Sequence, residues 1–203
     1  MIKNIILDLA GVVLNLNLER DTKALHDVGL PDYKYCLQCP DIIIPMSSYL
    51  SGLLPTEDFL KRIRPFCHQE ATDEDILWSM DAVLDDIPKS RLIRITELRK
   101  KYKVYLLSNI YEAAWNHTLQ QMRKHGYEPS DCFDQLFLSY EMKLAKPDPL
   151  IFYRLFQETG LNPEETVYFD DTAENLKIGA ELKLYTCLVP MNQLEDCLEE
   201  WKL

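Results

Sequence analysis

The sequence has little basic charge, and this shortage limits the partners that it can bind. Among 203 residues there are 22 Lys and Arg against 33 Asp and Glu, a formal net charge of -11. Nucleic acids and anionic membranes need a basic surface that displaces their counterions. We therefore expect neither a nucleic-acid partner nor a membrane partner, and a phosphorylated ligand must be held by local features against the field of the whole chain.

Long apolar runs are also missing, as is any leader pattern before the first apolar stretch. No run approaches the length of a membrane span, so we expect a soluble, cytoplasmic protein whose six cysteines are reduced. Cys36 and Cys39 form a Cys-x-x-Cys pair, but no second pair exists to complete a four-ligand zinc site. The pair is therefore predicted to have no metal or redox role, and the sequence leaves the oligomeric state open.

What is present is the composition of a globular protein, with 47% hydrophobic and 27% charged residues. Apolar runs alternate with segments of helical periodicity, which indicates right-handed crossovers and a parallel sheet covered on both faces. The predicted strands cover residues 4–8, 103–109, 135–139, 166–171 and 184–189. The sequence thus predicts an α/β fold with a Rossmann-like parallel sheet flanked by helices.

Residues 16–86 depart from this alternation because they contain helical patterns and no strand of the first type. Thr56 and Thr72 each open a helical pattern and suit N-capping. We therefore predict a core domain from residues 1–15 and 87–203, with a small helical insertion after the first strand.

Candidate site residues fall at the carboxyl ends of the predicted strands, the edge where open α/β sheets bind ligands. They are Asp8 after the first strand, Ser108 and Asn109 after the second, and Asp170 and Asp171 after the fourth. Lys146, in the loop after the third strand, can reach the same edge. Each residue taken alone also fits a turn, a helix cap or a solvated side chain.

Three carboxylates converging on one lysine indicate a cation site, because close carboxylates raise each other's pKa until one is protonated. Oxygen-only ligands favour Mg²⁺, and zinc is disfavoured since no His or Cys lies at these strand ends. An ionised Asp8 facing a phosphate can attack phosphorus to give an aspartyl-phosphate that water hydrolyses. The Ser108 hydroxyl can donate to a phosphate oxygen.

These four segments together resemble the four motifs of the haloacid dehalogenase-like (HAD) hydrolase superfamily. The amino-acid sequences of these motifs are most similar to those of small-cap phosphatases related to sugar-1-phosphate phosphatases. The match spans nearly the whole chain. The segments are Asp-Leu-Ala-Gly-Val-Val from Asp8, Leu-Leu-Ser-Asn ending at Asn109, Lys-Pro-Asp-Pro from Lys146 and Phe-Asp-Asp ending at Asp171.

The resemblance implies a magnesium-dependent phosphatase that acts on a small phosphorylated metabolite, with sugar phosphates among the candidates. It implies that residues 16–86 form the helical cap. It makes Asp8 the nucleophile and a metal ligand, Asp170 a metal ligand, and Asp171 part of the metal shell or its neighbour. Ser108, Asn109 and Lys146 become substrate-binding residues, and Lys146 also orients Asp8.

Ala10 departs from the family pattern, which usually has an aspartate two residues after the nucleophile. The metal ligand at this position is a backbone carbonyl, which Ala10 supplies, but a methyl group cannot transfer a proton. Such transfer contributes about 10² to 10⁴ in rate. Three outcomes stay open: a phosphatase that hydrolyses esters with good leaving groups or borrows its acid from the cap, the substrate or water; a slow, residual enzyme; and a phosphate-binding or regulatory protein without turnover. A dehalogenase is ranked below the phosphatase.

The predicted cap offers weaker signals for substrate choice. Gly52 resembles the glycine of a loop in related caps, although the polar residues expected before it are Leu50 and Ser51 here. Aromatic and imidazole side chains could line a pocket, but core or surface packing explains them as well. They are Tyr49, His68, Trp78 and Trp115.

Overall fold

The computed structural model describes residues 1–203, and its centre is a five-stranded parallel sheet. The strand order is β3-β2-β1-β4-β5, with every neighbouring pair parallel. This arrangement confirms the predicted α/β fold with a Rossmann-like core. The strands are β1 (Asn4–Leu7), β2 (Lys103–Ser108), β3 (Gln135–Leu138), β4 (Thr166–Asp170) and β5 (Tyr185–Leu188).

Twelve α-helices connect and cover these strands, and none combines the length and apolar character needed to cross a membrane. Short 3₁₀ turns add Arg64–Phe66 and Pro163–Glu165. The helices are α1 (Leu18–Asp27), α2 (Tyr33–Cys36), α3 (Pro40–Leu50), α4 (Thr56–Ile63), α5 (Asp73–Asp81), α6 (Lys89–Leu98), α7 (Glu112–Lys124), α8 (Pro129–Cys132), α9 (Ser139–Met142), α10 (Pro149–Thr159), α11 (Ala173–Glu181) and α12 (Leu194–Glu200).

The central strands are buried on both faces, as expected for a parallel sheet between two helical layers. Every residue of β1 and β4 is buried, whereas both ends of the edge strand β5 are exposed. Alternate residues of β1 enter different hydrophobic clusters. Ile5 and Leu7 join a cluster of 38 buried residues that continues into α1, α3, α4 and α5, while Ile6 joins a separate cluster of 10.

Several helix boundaries follow from capping residues in the sequence. The Thr72 hydroxyl accepts from the backbone N–H of Asp75, and the Asp75 carboxylate accepts in return from the Thr72 N–H, a capping box that starts α5. Asp148 caps α10, and Gly160 ends it with φ of 64°. Local capping residues therefore set the start of α5 and both ends of α10.

Residues 16–86 are helical, as the sequence predicts, but two of their helices lie where the pattern alone gave no element. These are α2 and α3, and α3 continues through Pro45. Proline in a helix interior removes one hydrogen bond and clashes with the preceding turn. The helix persists because its apolar side chains are buried, with Ile42, Met46 and Tyr49 in the large cluster.

Candidate active site

The sheet register brings the first and fourth strand ends together. Leu7 pairs with Phe169, so Asp8 and Asp170 leave neighbouring strands at the same level. The backbone N–H of Asp8 donates to the carbonyl of Phe169 at 2.9 Å. Carboxylate oxygens of Asp8, Asp170 and Asp171 all lie within 4.8 Å of one another. The predicted convergence of acidic side chains is thus present.

The Lys146 ammonium lies between two of these carboxylates. Its Nζ is 2.8 Å from Asp8 Oδ1 and 2.7 Å from Asp170 Oδ2, and it donates to the carbonyl of Leu107 at 3.0 Å. Burial alone would lower the pKa of Lys146, but Asp170 and Asp8 outweigh it and raise the pKa above the usual lysine value. Lys146 therefore stays charged and fixes the direction of the Asp8 carboxylate.

Asp8 has one oxygen held by the protein and one oxygen left free. Oδ1 accepts from Lys146 and from the backbone N–H of Leu9 at 2.7 Å, whereas no protein donor bonds to Oδ2. Burial raises the pKa of Asp8 to about 7, with Lys146 opposing the shift and Asp170 adding to it. An oriented carboxylate with a free oxygen is suited to nucleophilic attack or to metal binding.

The two adjacent aspartates differ in their surroundings. Asp170 is completely buried, and its Oδ1 accepts from the Thr172 N–H at 2.7 Å and from Asn175 at 3.1 Å. Its Oδ2 also accepts from the Tyr168 hydroxyl. Asp171 is only partly buried, faces the cleft and accepts one side-chain bond, from the Thr172 hydroxyl at 3.2 Å. Asp170 is thus saturated by protein donors, and Asp171 is accessible.

Ser108 is buried at the cleft wall, and its side chain has no hydrogen-bond partner in the protein. Its Oγ is the only buried side-chain nitrogen or oxygen without a hydrogen-bond partner. Buried polar groups are normally paired, and an unpaired one in a native structure needs an explanation such as a ligand or an ion. A phosphate oxygen would supply the missing acceptor.

Asn109 bonds to the backbone of Lys146 on both sides of its amide. Its Nδ2 donates to the Lys146 carbonyl at 2.8 Å, and its Oδ1 accepts from the Lys146 N–H at 2.8 Å. These bonds fix the peptide that carries the lysine. The direct substrate contact expected of Asn109 stays a prediction.

A cleft of about 910 Å³ opens above these residues, between the sheet edge and helices α1, α3 and α5. Its volume is typical of small-molecule sites. The oxygen-only donors on its floor fit Mg²⁺, which prefers carboxylates, carbonyls and water. The expected site residues that line it are Asp8, Ala10, Ser108, Asn109, Lys146 and Asp171; Asp170 lies behind them.

Two side chains that hold Asp170 were not predicted from the sequence. Tyr168 precedes Asp170 by two residues, and side chains two apart on a strand share a face. Asn175 lies in the first turn of α11 on its buried side. The sequence could have indicated both contacts, because a polar residue on a buried face of a strand or helix needs a hydrogen-bond partner.

The aromatic candidates do not line the large cleft. Tyr49 is buried and stacks on Phe59 with ring centroids 4.3 Å apart, and Trp115 is also buried. Trp78 and His68 border a smaller pocket formed by α1, α5 and the loop before α5. The residue types in the cap therefore do not by themselves reveal which side chains reach a ligand.

The fold and this carboxylate-lysine site are those of a hydrolase with an α/β core. Residues 2–183 match the family described as haloacid dehalogenase-like hydrolase, so the chain belongs to that family. Membership of the superfamily, expected from the four motifs, is confirmed.

Relatives support this assignment over nearly the full length. The chain is 30% identical over 188 residues to a D-ribitol-5-phosphate phosphatase of Bacteroides thetaiotaomicron, covering 92% of this chain and 91% of the relative. A crystal structure of a HAD family enzyme from Bacteroides thetaiotaomicron superposes with a TM-score of 0.85 and 31% identity, covering 98% of each chain.

Further structures of that enzyme contain magnesium, or magnesium with inorganic phosphate. They confirm Mg²⁺ as the cofactor expected for this family. A predicted HAD-like hydrolase from Porphyromonas gingivalis shares the fold with a TM-score of 0.83 at 24% identity, covering 100% of this chain and 99% of that one.

Proposed function

We propose that the protein is a magnesium-dependent phosphomonoester hydrolase acting on a small sugar phosphate or sugar-alcohol phosphate through an aspartyl-phosphate on Asp8. One observation carries the proposal: Asp8 is held by Lys146 with a free oxygen at the floor of a cleft, beside the unpartnered Ser108 hydroxyl. The related D-ribitol-5-phosphate phosphatase supports the substrate class.

In the proposed reaction the free oxygen of Asp8 attacks phosphorus. The Oδ2–P bond forms while the bond between phosphorus and the ester oxygen breaks, and the released alkoxide takes a proton from water, directly or relayed through a substrate hydroxyl, which leaves hydroxide. A second water then attacks phosphorus, loses a proton to that hydroxide and breaks the Oδ2–P bond, which releases inorganic phosphate and restores the Asp8 carboxylate. Lys146 keeps Oδ1 fixed so that Oδ2 faces the substrate throughout.

Ser108 and Asn109 support the phosphate and the lysine. The Ser108 hydroxyl donates to a phosphate oxygen, which satisfies the group that has no partner in the protein. Asn109 keeps the Lys146 peptide in place through its two backbone bonds. We propose a positioning role for Asn109 on this basis.

The residues proposed to bind Mg²⁺ directly are Asp8 and Asp171, together with the backbone carbonyl of Ala10, and Asp170, which the resemblance also makes a ligand, supports the site from behind. The ion offsets the charge of the phosphate when it is bound. Asp171 offers an accessible carboxylate to the cleft, and Asp170 mainly anchors Lys146 because protein donors already occupy both of its oxygens. Asp171 is therefore the proposed direct ligand from this pair.

Residues 16–86 form the proposed cap domain over a core of residues 1–15 and 87–203. Their helices supply one wall of the cleft, so they select the leaving group rather than the phosphate. The cytoplasmic location and the lack of nucleic-acid and membrane partners stay predictions from the sequence.

A second candidate function is phosphate binding without turnover, which Ala10 favours. Ala10 lines the cleft at the position where the family pattern has a proton-transferring aspartate, so the leaving group lacks that donor. Dehalogenase activity has no comparable support, because the dehalogenase structures that match are 15–20% identical and show the fold alone.

The test is phosphate release from a panel of sugar and sugar-alcohol phosphates, with and without Mg²⁺, for the wild type and Asp8→Asn. We expect magnesium-dependent turnover that Asp8→Asn abolishes. Asp41→Asn, an exposed aspartate of α3 outside the cleft, is the matched control and should retain activity.

Magnesium-dependent turnover in folded Asp8→Asn would remove Asp8 from the nucleophilic role. Tight, magnesium-dependent phosphate binding by the wild type without hydrolysis of any ester would establish the second candidate instead.

A further inference from the structure

We propose that the substrate's leaving group is electrically neutral and rich in hydroxyl groups, and that Asp21 on α1 selects it. This inference rests on the proposed phosphatase function and extends it to the part of the substrate beyond the phosphate. Asp21 and Asp8 line the same cleft, Asp21 from the cap and Asp8 from the sheet.

The buried part of the cleft has no free cation for a second anionic group. The lining of the whole cleft contains two lysines and no arginine. Lys146 is already bound by Asp8 and Asp170. Lys34 is 68% exposed at its side chain, lies 3.9 Å from Asp32 and sits over the ring of Tyr35. Apart from the exposed Lys34, a carboxylate or second phosphate on the leaving group would therefore meet no basic side chain of the cleft that is free of buried carboxylates.

Asp21 adds a negative charge that the protein does not compensate. It is partly buried, no basic side chain or hydrogen-bond donor of the protein bonds its carboxylate, and burial raises its pKa to about 6. Its charge also contributes, after burial, to the raised pKa of the neighbouring Tyr33. A partly buried carboxylate without donors is costly, and hydroxyl groups of a ligand can supply those donors.

Apart from Asp32 and Lys34, which lie 3.9 Å apart, the remaining polar groups of the cap wall are neutral. Thr22 lies next to Asp21 on α1, and Ser47 and Ser51 come from the end of α3. Apolar side chains such as Leu50 and Met80 fill the space between them. This wall can exchange hydrogen bonds with a polyhydroxy chain, while Asp21 repels an anionic one.

The first test compares substrates on the wild-type enzyme with Mg²⁺. We expect kcat/KM for a five-carbon polyol phosphate to exceed that for the aldonic acid phosphate of the same length, and for the corresponding bisphosphate, by at least about tenfold. Equal or better turnover of the acid or the bisphosphate would overturn the proposal.

The second test replaces the charge of Asp21 while keeping its shape. In Asp21→Asn, the ratio of kcat/KM between the polyol phosphate and the acid phosphate should fall about tenfold, mainly through KM, because the variant loses a charged acceptor and a repulsive charge. Both kcat/KM values are measured on the same variant, so a lower fraction of active protein does not change their ratio. An unchanged ratio contradicts the proposal.

Glu19→Gln is the matched control, because Glu19 is an exposed acidic residue in the same first helical turn and does not line the cleft. Its substrate ratio should equal that of the wild type. A fall as large as that of Asp21→Asn would assign the effect to net charge and overturn a specific role for Asp21.

The two proposals fail differently. If the phosphatase function is wrong, the wild type releases no phosphate from any ester, including p-nitrophenyl phosphate, and both proposals fall. If only the present inference is wrong, esters are hydrolysed without discrimination by the charge of the leaving group.

Discussion

At the residue scale, Asp8, Lys146 and Asp170 show how charges are tolerated at the end of an apolar strand. An isolated buried charge is strongly disfavoured, whereas one paired and hydrogen-bonded can be retained. Lys146 bonds to both carboxylates and to a backbone carbonyl, so all three of its donors are used. The pairing leaves the second Asp8 oxygen as the reactive group.

Substitutions of the two aspartates in the fourth motif, Asp170 and Asp171, should have different effects on stability and on metal binding. Asp170→Asn removes a carboxylate from buried Lys146, so we expect the free energy of unfolding to fall by about 3 kcal/mol. Asp171→Asn should cost under about 1 kcal/mol but weaken Mg²⁺ binding at least about tenfold. Denaturant unfolding and calorimetric Mg²⁺ titration measure the two effects. Equal loss of Mg²⁺ affinity in a stable Asp170→Asn variant would contradict this division.

Ala10 is predicted to limit turnover of esters with poor leaving groups. Ala10→Asp restores a group that can transfer a proton, so we expect kcat for an unactivated ester to rise by about tenfold or more. Asn is similar in size to Asp but cannot transfer the proton, so kcat of the Ala10→Asn variant should stay at the wild-type value. Steady-state kinetics of both variants measure this effect. An unchanged kcat in folded Ala10→Asp would show that proton transfer does not limit turnover.

Residues at the ends of strands or directly after them could be predicted, because a parallel sheet brings its strand ends together. Asp8, Ser108 and Asp171 are of this kind. Asp21 could not be predicted, since its position in the cleft depends on how α1 packs against the core and not on the local pattern.

At the element scale, the turn after α3 fixes the proposed cap against the core. Gly52 has φ of 68°, and a Cβ there would lie 2.1 Å from Tyr140 Cβ and 2.5 Å from Tyr140 Cα. Lys143 also reaches the carbonyl of Gly52, with Nζ at 3.5 Å. Only glycine permits this close approach and this backbone conformation together.

Gly52→Ala should therefore displace the turn from α9. We expect the free energy of unfolding to fall by about 2 kcal/mol and KM to rise. Gly126→Ala is the matched control, because Gly126 has φ of 80° and nothing within 4 Å of an added Cβ. Thermal unfolding and kinetics of the two variants isolate the contact with Tyr140. Equal losses in both variants would assign the effect to backbone conformation alone.

Helices can be located from the sequence where capping residues mark both ends, as Asp148 and Gly160 do for α10. Helix prediction failed for α2 and α3, where helix formation depends on burial against other helices more than on local preference. Pro45 in α3 is the clearest case, because its local preference opposes the helix that packing stabilises.

At the scale of the whole molecule, the C-terminal region is tied to the loop after β1 through Arg91. The side chain of this arginine is 3% exposed and bonds Glu195 at 2.8 and 2.9 Å. It also donates to the carbonyls of Val13 at 3.2 Å and Asn192 at 2.9 Å. One buried cation thus joins the segment that follows Asp8 to α12.

This link predicts a dependence of stability on acid pH. Burial opposes ionisation of Glu195, but the bonds from Arg91 outweigh burial and lower its pKa below the usual 4.5. A lowered folded-state pKa contributes stability that is present above the unfolded value and lost as pH falls through the folded value. The wild type should therefore be more stable than Glu195→Gln near pH 7, with the difference shrinking below about pH 4.5.

Unfolding midpoints across this pH range provide the measurement. Glu199→Gln, an exposed change on the same helix, should show no such dependence. A difference between the wild type and Glu195→Gln that persists unchanged to low pH would contradict the assigned role of the ionised carboxylate.

The most direct test of the proposed chemistry is to trap the covalent intermediate. The wild-type enzyme is mixed with a phosphate ester and Mg²⁺, quenched in acid during turnover and digested for mass spectrometry. We predict phosphate on the peptide that contains Asp8, at that side chain, and none in Asp8→Asn treated identically. Steady turnover with no phosphate on Asp8, in a control where an established aspartyl-phosphate survives the same quench, would contradict the account.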